Sequence, residues 1–269
     1  MKHICRIVLF LFLCAFPIIS CEAKVPVSES YRLVKILFRY GDDALPVLNR
    51  LQKVIPEDKV DELAKIALEP GGMKKVNAYL GHLALPRKYP DGHKMLSLVY
   101  LQIAAKNGVL YGDEAAEVYL HLNNVKGLSS LLSKINIANK SAAKGHLQEL
   151  RLGLNFQKSG HKVLEFGRKF NDNVKLHDTD LDLLVHLKNG KLAAIESKAY
   201  DTTIDTVVVR NDFQSLKYFR DHLADGKAIP VFCFRNPPPP IAKEILEREG
   251  GLYFSGNEKE VVSLMEQLL

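Results

Sequence analysis

The chain has 269 residues, 47% of them apolar, enough to bury a substantial core and to suggest two domains. Its net charge of +6 does not assign a nucleic-acid partner. Residues 24–140 hold 17 Lys+Arg against 12 Asp+Glu, whereas residues 141–269 hold 18 of each, so steering of an anionic substrate falls to local arrangement or to the N-terminal half. Cys5, Cys14 and Cys21 lie within or at the edge of the N-terminal leader, so Cys233 alone remains to the mature body. That excludes an intramolecular disulfide, and no Cys/His cluster has zinc spacing.

Met1–Arg6 carries Lys2 and Arg6, and Ile7–Ile19 is an apolar run broken only by Pro17. With Ser20-Cys21-Glu22-Ala23 following, this is the plan of a secretory signal peptide over 1–23, too short to span a bilayer comfortably. Two processings stay open. Cleavage after Ala23 releases the chain, secreted or periplasmic. Alternatively Ile18-Ile19-Ser20-Cys21 resembles a lipobox, in which Cys21 becomes a lipidated N-terminus that anchors the protein to a membrane.

Residues 24–140 read as all-helical. In Ser28–Tyr40 the apolar Tyr31, Val34, Leu37 and Phe38 recur at helical spacing. Tyr40-Gly41-Asp42-Asp43-Ala44 returns as Tyr111-Gly112-Asp113-Glu114-Ala115, each copy reading as a glycine stop, an aspartate N-cap and a new helix. The stretch from Pro86 to Gly92 reads as a loop. No nucleophiles, bases or ligands cluster here, so this half reads as a scaffold, delivery or partner-binding region.

A boundary falls near Asn136–Lys144, after which the pattern becomes α/β over 141–269. A helix at Ala142–Ser159 leads to a strand at His161–Phe166 and then to a hairpin over 179–199. A helix at Asp212–Ala224 is stopped by Asp225-Gly226. There follow a strand at Ile229–Phe234 (with Cys233 as core filler), a rigid Pro237–Pro240 turn, a helix over 241–249 and a strand at Leu252–Phe254. A final helix is capped by Asn257, with Glu258 and Glu260 in its first turn. The order implies a mixed sheet with helices on both faces.

The chemistry concentrates in the hairpin, TDLDLLVHLKNGKLAAIESKAY. Glu196 and Lys198, two apart on a strand, share a face. Whether Asp182 joins them depends on the turn. A two-residue Asn189-Gly190 loop sets Asp182 opposite Ser197, pointing away. A three-residue Lys188-Asn189-Gly190 loop, with Gly190 left-handed, pairs Leu187 with Lys191 and Asp182 with Glu196. The second is predicted, because Leu181, Leu183, Val185 and Leu187 then fill one face and leave Asp180 and Asp182 on the other. Two carboxylates and an ammonium on adjacent strands are what a Mg²⁺-dependent phosphodiester hydrolase uses. A third acid, Glu149, sits on a helical stripe with Gly145, Leu152 and Phe156, beside a second stripe of Ala143, Leu147, Leu150 and Leu154. Nine histidines are scattered, with His146, His161, His177 and His186 near this region, and they read as surface or core residues.

Taken in order, helix Glu149, a strand, Asp182 and then Glu196-Ser197-Lys198 resemble the core of the PD-(D/E)xK nuclease superfamily, the restriction-endonuclease-like fold. The layout is similar to that of Holliday-junction resolvases and of nuclease domains from polymorphic toxins. Leu181-Asp182 stands where the family has Pro-Asp, and Asp180 competes for the same role. Gln214 through Tyr218 is similar to the family's Gln-x-x-x-Tyr motif. The resemblance implies that Asp182 and Glu196 ligate Mg²⁺ or Mn²⁺ with the Ile195 carbonyl. It further implies that Lys198 orients or deprotonates the attacking water, that Glu149 holds a water on the ion or a second ion, and that Gln214 and Tyr218 touch substrate. Two placements stay open for Tyr200 and Arg210, along a substrate groove or on the ordinary surface. The resulting expectation is an exported, metal-dependent endonuclease acting on DNA or RNA. A toxin or effector role would bring an immunity protein or delivery partner to the helical half. The alternative is a non-enzymatic interaction protein on a vestigial nuclease fold.

Overall fold

The computed structural model describes residues 29–40, 43–137, 140–171, 179–199 and 205–269. The leader expectation over 1–23, Cys21 included, lies outside them, as do His177 and Tyr200. No helix among the described residues is long and apolar enough to cross a membrane.

The N-terminal half comprises α1 (Glu29–Tyr40), α2 (Ala44–Val54), α3 (Glu57–Ala67), α4 (Gly72–Leu83), a single turn α5 (Leu85–Lys88), α6 (Gly92–Lys106), α7 (Gly112–Leu122) and α8 (Leu128–Ile135). Helix α6 is apolar almost all round, every residue from Ser97 to Ala105 is buried, and α1, α2, α3, α5, α7 and α8 pack against it. A helix without a polar face must be surrounded, and this one organises the half.

Three expectations for this half change. The buried stripe of α1 is Ser30, Leu33 and Leu37, while Tyr31 and Phe38 are exposed. Both stripes keep helical spacing, and only the docking of α1 against α6 and α7 selects between them. The repeated Tyr-Gly-Asp segment does not act as a stop and cap. Gly112 is the first residue of α7, its N–H bonding Glu29 Oε2 at 2.6 Å, and Asp113 pairs with Arg32. In the other copy Gly41 and Asp42 lie outside the described residues, and Asp43 makes no side-chain cap. The Pro86–Gly92 loop opens with the end of α5, because Pro86 suits a first helical turn.

The C-terminal half begins with α9 (Lys140–Lys158) and continues through β1 (Lys162–Phe170), β2 (Thr179–His186), β3 (Leu192–Lys198), α10 (Thr206–Tyr218), β4 (Ala228–Phe234), α11 (Pro240–Arg248), β5 (Leu252–Ser255) and α12 (Glu258–Leu268). The five strands lie in sequence order, β1–β2–β3 antiparallel and β3–β4–β5 parallel, a mixed sheet as expected. Helices α9 and α12 cover one face with Leu150, Phe156, Val261 and Met265 against Leu183, Val185, Ile195 and Val231. Helix α10 and α11 cover the other with Val209, Phe213, Leu216, Ala242 and Leu246 against Leu184, Ala194, Phe232 and Phe234. A Cβ on Gly153 would lie 2.4 Å from the Phe166 ring, so only glycine lets α9 settle this closely on β1.

Strand β1 runs four residues past its expected end. Leu181, expected with Leu183 and Val185, is buried in the α10-side cluster instead. Helix α10 begins six residues before its expected start: the β-branched run Thr206–Val209 has poor helix propensity, but Asp205 caps it by accepting from the Val207 N–H at 2.8 Å. The last helix carries a full capping box, Asn257 and Glu260 bonding each other's backbone N–H. The break between α8 and α9 falls at the expected boundary, yet one apolar cluster runs across it, from Leu33 to Met265.

Candidate active site

The hairpin turn sets the geometry of everything beyond it. The Leu187 N–H donates to the Lys191 carbonyl at 2.8 Å, Gly190 donates back to Leu187 at 3.0 Å, and Gly190 adopts φ 84°. That is the three-residue loop read from the sequence. Leu183 therefore pairs with Ile195, the last pair of the ladder, and Asp182 and Glu196 follow just beyond it, close enough for the Glu196 charge to act on Asp182. The Asp182 carboxylate accepts the Ser197 N–H at 2.7 Å. Asp180 stays largely exposed, 4.0 Å from Lys134 of α8, so Asp182 is the acid brought beside Glu196.

Glu196 accepts from Lys198 Nζ at 2.5 Å, and the same ammonium lies 2.7 Å from Asp212 of α10. Glu149 comes from α9, is buried, and meets His146 Nδ1 at 2.8 Å. It does not pair with Arg151, which is held by Glu114. Gln148 fixes this stretch of α9 by donating to the Cys233 carbonyl at 3.2 Å. The structure thus brings Glu149, Asp182, Glu196 and Lys198 together from a helix and two strands.

Their electrostatics follow from burial. Asp182 is pushed well above the usual carboxylate range, first by loss of water and then by the charges of Glu196 and Glu149, against the pull of Lys198 and the Ser197 N–H. Burial likewise pushes Glu196 up to about 7, with the Lys198 ammonium opposing it. Burial alone would lower the Lys198 pKa, but Glu196, Asp212 and Asp182 outweigh it and the ammonium is held charged. One lysine thus stands among four carboxylates. The missing positive charge and the hard oxygen donors match a divalent cation. Among the described residues, no three carboxylate, imidazole or thiolate side chains stand close enough together to hold an ion in this arrangement. The groups that could offer oxygens to such an ion are the carboxylates of Asp182 and Glu196.

Ile195 pairs with Leu183 in the β2–β3 ladder. The backbone that turns toward Asp182 is that of Ser197. Gln214 is exposed on α10, as is Arg210, and the Tyr218 ring stacks on Phe170 of β1 with 6.5 Å between centroids. His186 is exposed at the end of β2. His161 is buried, its ring edge-on to Phe156, and its pKa is lowered chiefly by burial.

Two site residues escaped the sequence reading. Asp212 was taken as a helix start, whereas in a helix beginning at Thr206 it sits among Val209, Phe213 and Leu216, an acid on an apolar stripe. His146 precedes Glu149 by three residues, one helical turn, which was a usable signal.

No family model matches this chain, and no curated protein does. Among solved structures, a chain from "Structure of EndoMS-dsDNA2 complex" is similar over 37% of this chain and 37% of its own length, at 18% identity and a TM-score of 0.27. This chain therefore spans little more than a third of that one. At that level the similarity carries no argument about function, which is left to the geometry of the site.

Proposed function

We propose that this protein is a metal-dependent nuclease that hydrolyses phosphodiester bonds, with Asp182, Glu196, Lys198 and Glu149 as its catalytic set. One observation carries the reading: Asp182 and Glu196 stand close together on adjacent strands, partly buried and with raised pKa values, a costly arrangement that a divalent cation would relieve. Bound there, Mg²⁺ or Mn²⁺ would polarise the scissile phosphate and lower the pKa of a water.

The chain's own groups supply the rest. Asp182 and Glu196 would hold the ion at the end of the β2–β3 ladder, and the Ser197 N–H fixes one Asp182 oxygen. Lys198, kept charged by its acidic neighbours, stabilises the negative charge that develops on the phosphate. A lysine held this way is an electrostatic stabiliser and not a general base. Asp212 aims the ammonium, and Glu149, oriented by His146, accepts a hydrogen bond from an incoming water. The leader of residues 1–23 would deliver this activity outside the cytoplasm, in keeping with an effector or a scavenger of extracellular nucleic acid.

The clamp of Lys198 between Glu196 and Asp212 also suits a second reading, a structural ion-pair cluster in a non-enzymatic interaction protein. Plasmid nicking and RNA degradation with Mg²⁺, and again with EDTA, separate the two. The nuclease gives EDTA-sensitive cleavage that falls at least about a hundredfold in Glu196→Ala and in Lys198→Ala, with the far-ultraviolet circular dichroism unchanged. Absence of EDTA-sensitive cleavage on every DNA and RNA tested favours the structural cluster.

A further inference from the structure

A cavity of about 390 Å³ opens in the helical half, between the start of α6, the α7–α8 connection and the start of α8. Its volume falls in the range of small-ligand sites, roughly 300–1,000 Å³. Two helix N-termini meet there, and neither has a side-chain cap. Asp91, at the N-cap of α6, is drawn off by Arg50 at 2.7 Å, and the N-cap of α8 is Gly127, which has no side chain to offer. The first N–H of each helix is already bonded, Gly92 to the Tyr89 carbonyl and Leu128 to that of Val125, which leaves the next N–H groups of each first turn for an anion.

The side chains lining the cavity point the same way. Lys94, half-buried in the wall, has no carboxylate partner among the described residues, whereas the nearby acids already have cations of their own, Asp91 with Arg50 and Glu165 with Lys126. Ser97 is 2% exposed, lines the cavity, and has no hydrogen-bond partner among the described residues. Asn123 donates to the Tyr119 carbonyl, which leaves its Oδ1 in the wall, buried and without a partner among those residues. An unpaired ammonium, an unpaired hydroxyl and two uncapped helix starts together fit a phosphate. An orphan acceptor beside them suits the hydroxyl of an attached sugar.

The cavity is tied to the candidate active site by one rigid element. Helix α8 starts at the cavity and carries Lys134 at its far end, 4.0 Å from Asp180, which precedes Asp182 by two residues. An eight-residue helix plus two strand residues gives a separation of roughly 20 Å, about six nucleotide steps at 3.4 Å. We propose that this cavity is an accessory substrate site, seating a backbone phosphate of the nucleic acid whose cleavage is assigned to the carboxylates. The phosphate chemistry stands on the cavity itself, and its source in nucleic acid rests on the nuclease reading.

The test uses the full chain in EDTA, so that cleavage does not interfere. Inorganic phosphate should raise the melting temperature of the wild type but not of Lys94→Glu. Lys94→Gln should bind an oligonucleotide spanning both sites roughly tenfold more weakly, with the slope of log K against log salt reduced by about one. Ser97→Ala should weaken phosphate binding while the protein stays folded. If phosphate stabilisation is lost in Lys94→Glu but oligonucleotide affinity is unchanged in Lys94→Gln, the nucleic-acid source is overturned and a small phosphate ester becomes the ligand. No phosphate-dependent stabilisation of the wild type overturns the site altogether. Whether the carboxylates cleave is read separately, from Mg²⁺-dependent hydrolysis by the wild type, so the failure of one reading is not mistaken for failure of the other.

Discussion

The Leu184–Ala194 pair of the β2–β3 ladder and the two acids just past the ladder's end are built on opposite principles. Leu184 faces Ala194, both buried under α10 and α11, and the rung adds to the core. Just beyond the last pair of that ladder, Leu183–Ile195, stand Asp182 and Glu196, and there burial costs free energy. The apolar rung offsets the strain of the acidic pair and fixes its spacing. A site that needs two acids close together has to be mounted on a framework stable enough to hold them.

The contrast can be broken from either side. The largest expected effect on stability is at the apolar rung. Leu184→Ala removes a side chain that is 2% exposed and should cost about 3 kcal/mol in urea unfolding. A loss below about 1 kcal/mol would mean that the rung does not brace the acids.

The acidic pair is tested through pH. Glu196 has an ordinary value of 4.5 and is raised to about 7 in the fold. Between those values the unfolded chain gives up a proton that the folded protein keeps, so stability falls as pH rises through this window. The metal-free wild type should lose on the order of 3 kcal/mol between them. Glu196→Gln should flatten that dependence. Added Mg²⁺ should restore stability at the upper end in the wild type but not in the variant. An equally steep pH dependence in both proteins would assign the effect to other groups.

The smallest expected effect is at the turn that aligns the two pairs. Gly190→Ala forces a Cβ onto φ 84°, with open space around it, and should cost about 1 kcal/mol while the acids stay paired.

How much of this was legible in the sequence depended on whether local chemistry decided the outcome. Glycine at positive φ marked the Lys188-Asn189-Gly190 turn in either loop, and the three-residue form was the one whose register brings Asp182 to Glu196. The capping role of Asn257 was legible from local chemistry. Tyr31 and Phe38 share helical spacing with Leu37 yet stay exposed, because amphipathic spacing allows two stripes and tertiary docking selects one. The early start of α10 was hidden because a single cap at Asp205 overrides the weak propensity of Thr206–Val209, and losing that turn concealed Asp212. The cavity of the helical half left no trace in the sequence, since its parts come from segments about thirty residues apart.

The continuous apolar cluster from Leu33 to Met265 has a consequence for inheritance and for engineering. Helix α9 delivers Glu149 to the sheet, and on its outer side it is fastened to α7 through Arg151–Glu114 and Lys158–Glu117. Excising residues 141–269 as a free-standing catalytic module would expose the flank that keeps this glutamate in place. Transplanting the activity onto another carrier therefore means moving the helical bundle with it, and the two halves should melt as one cooperative unit.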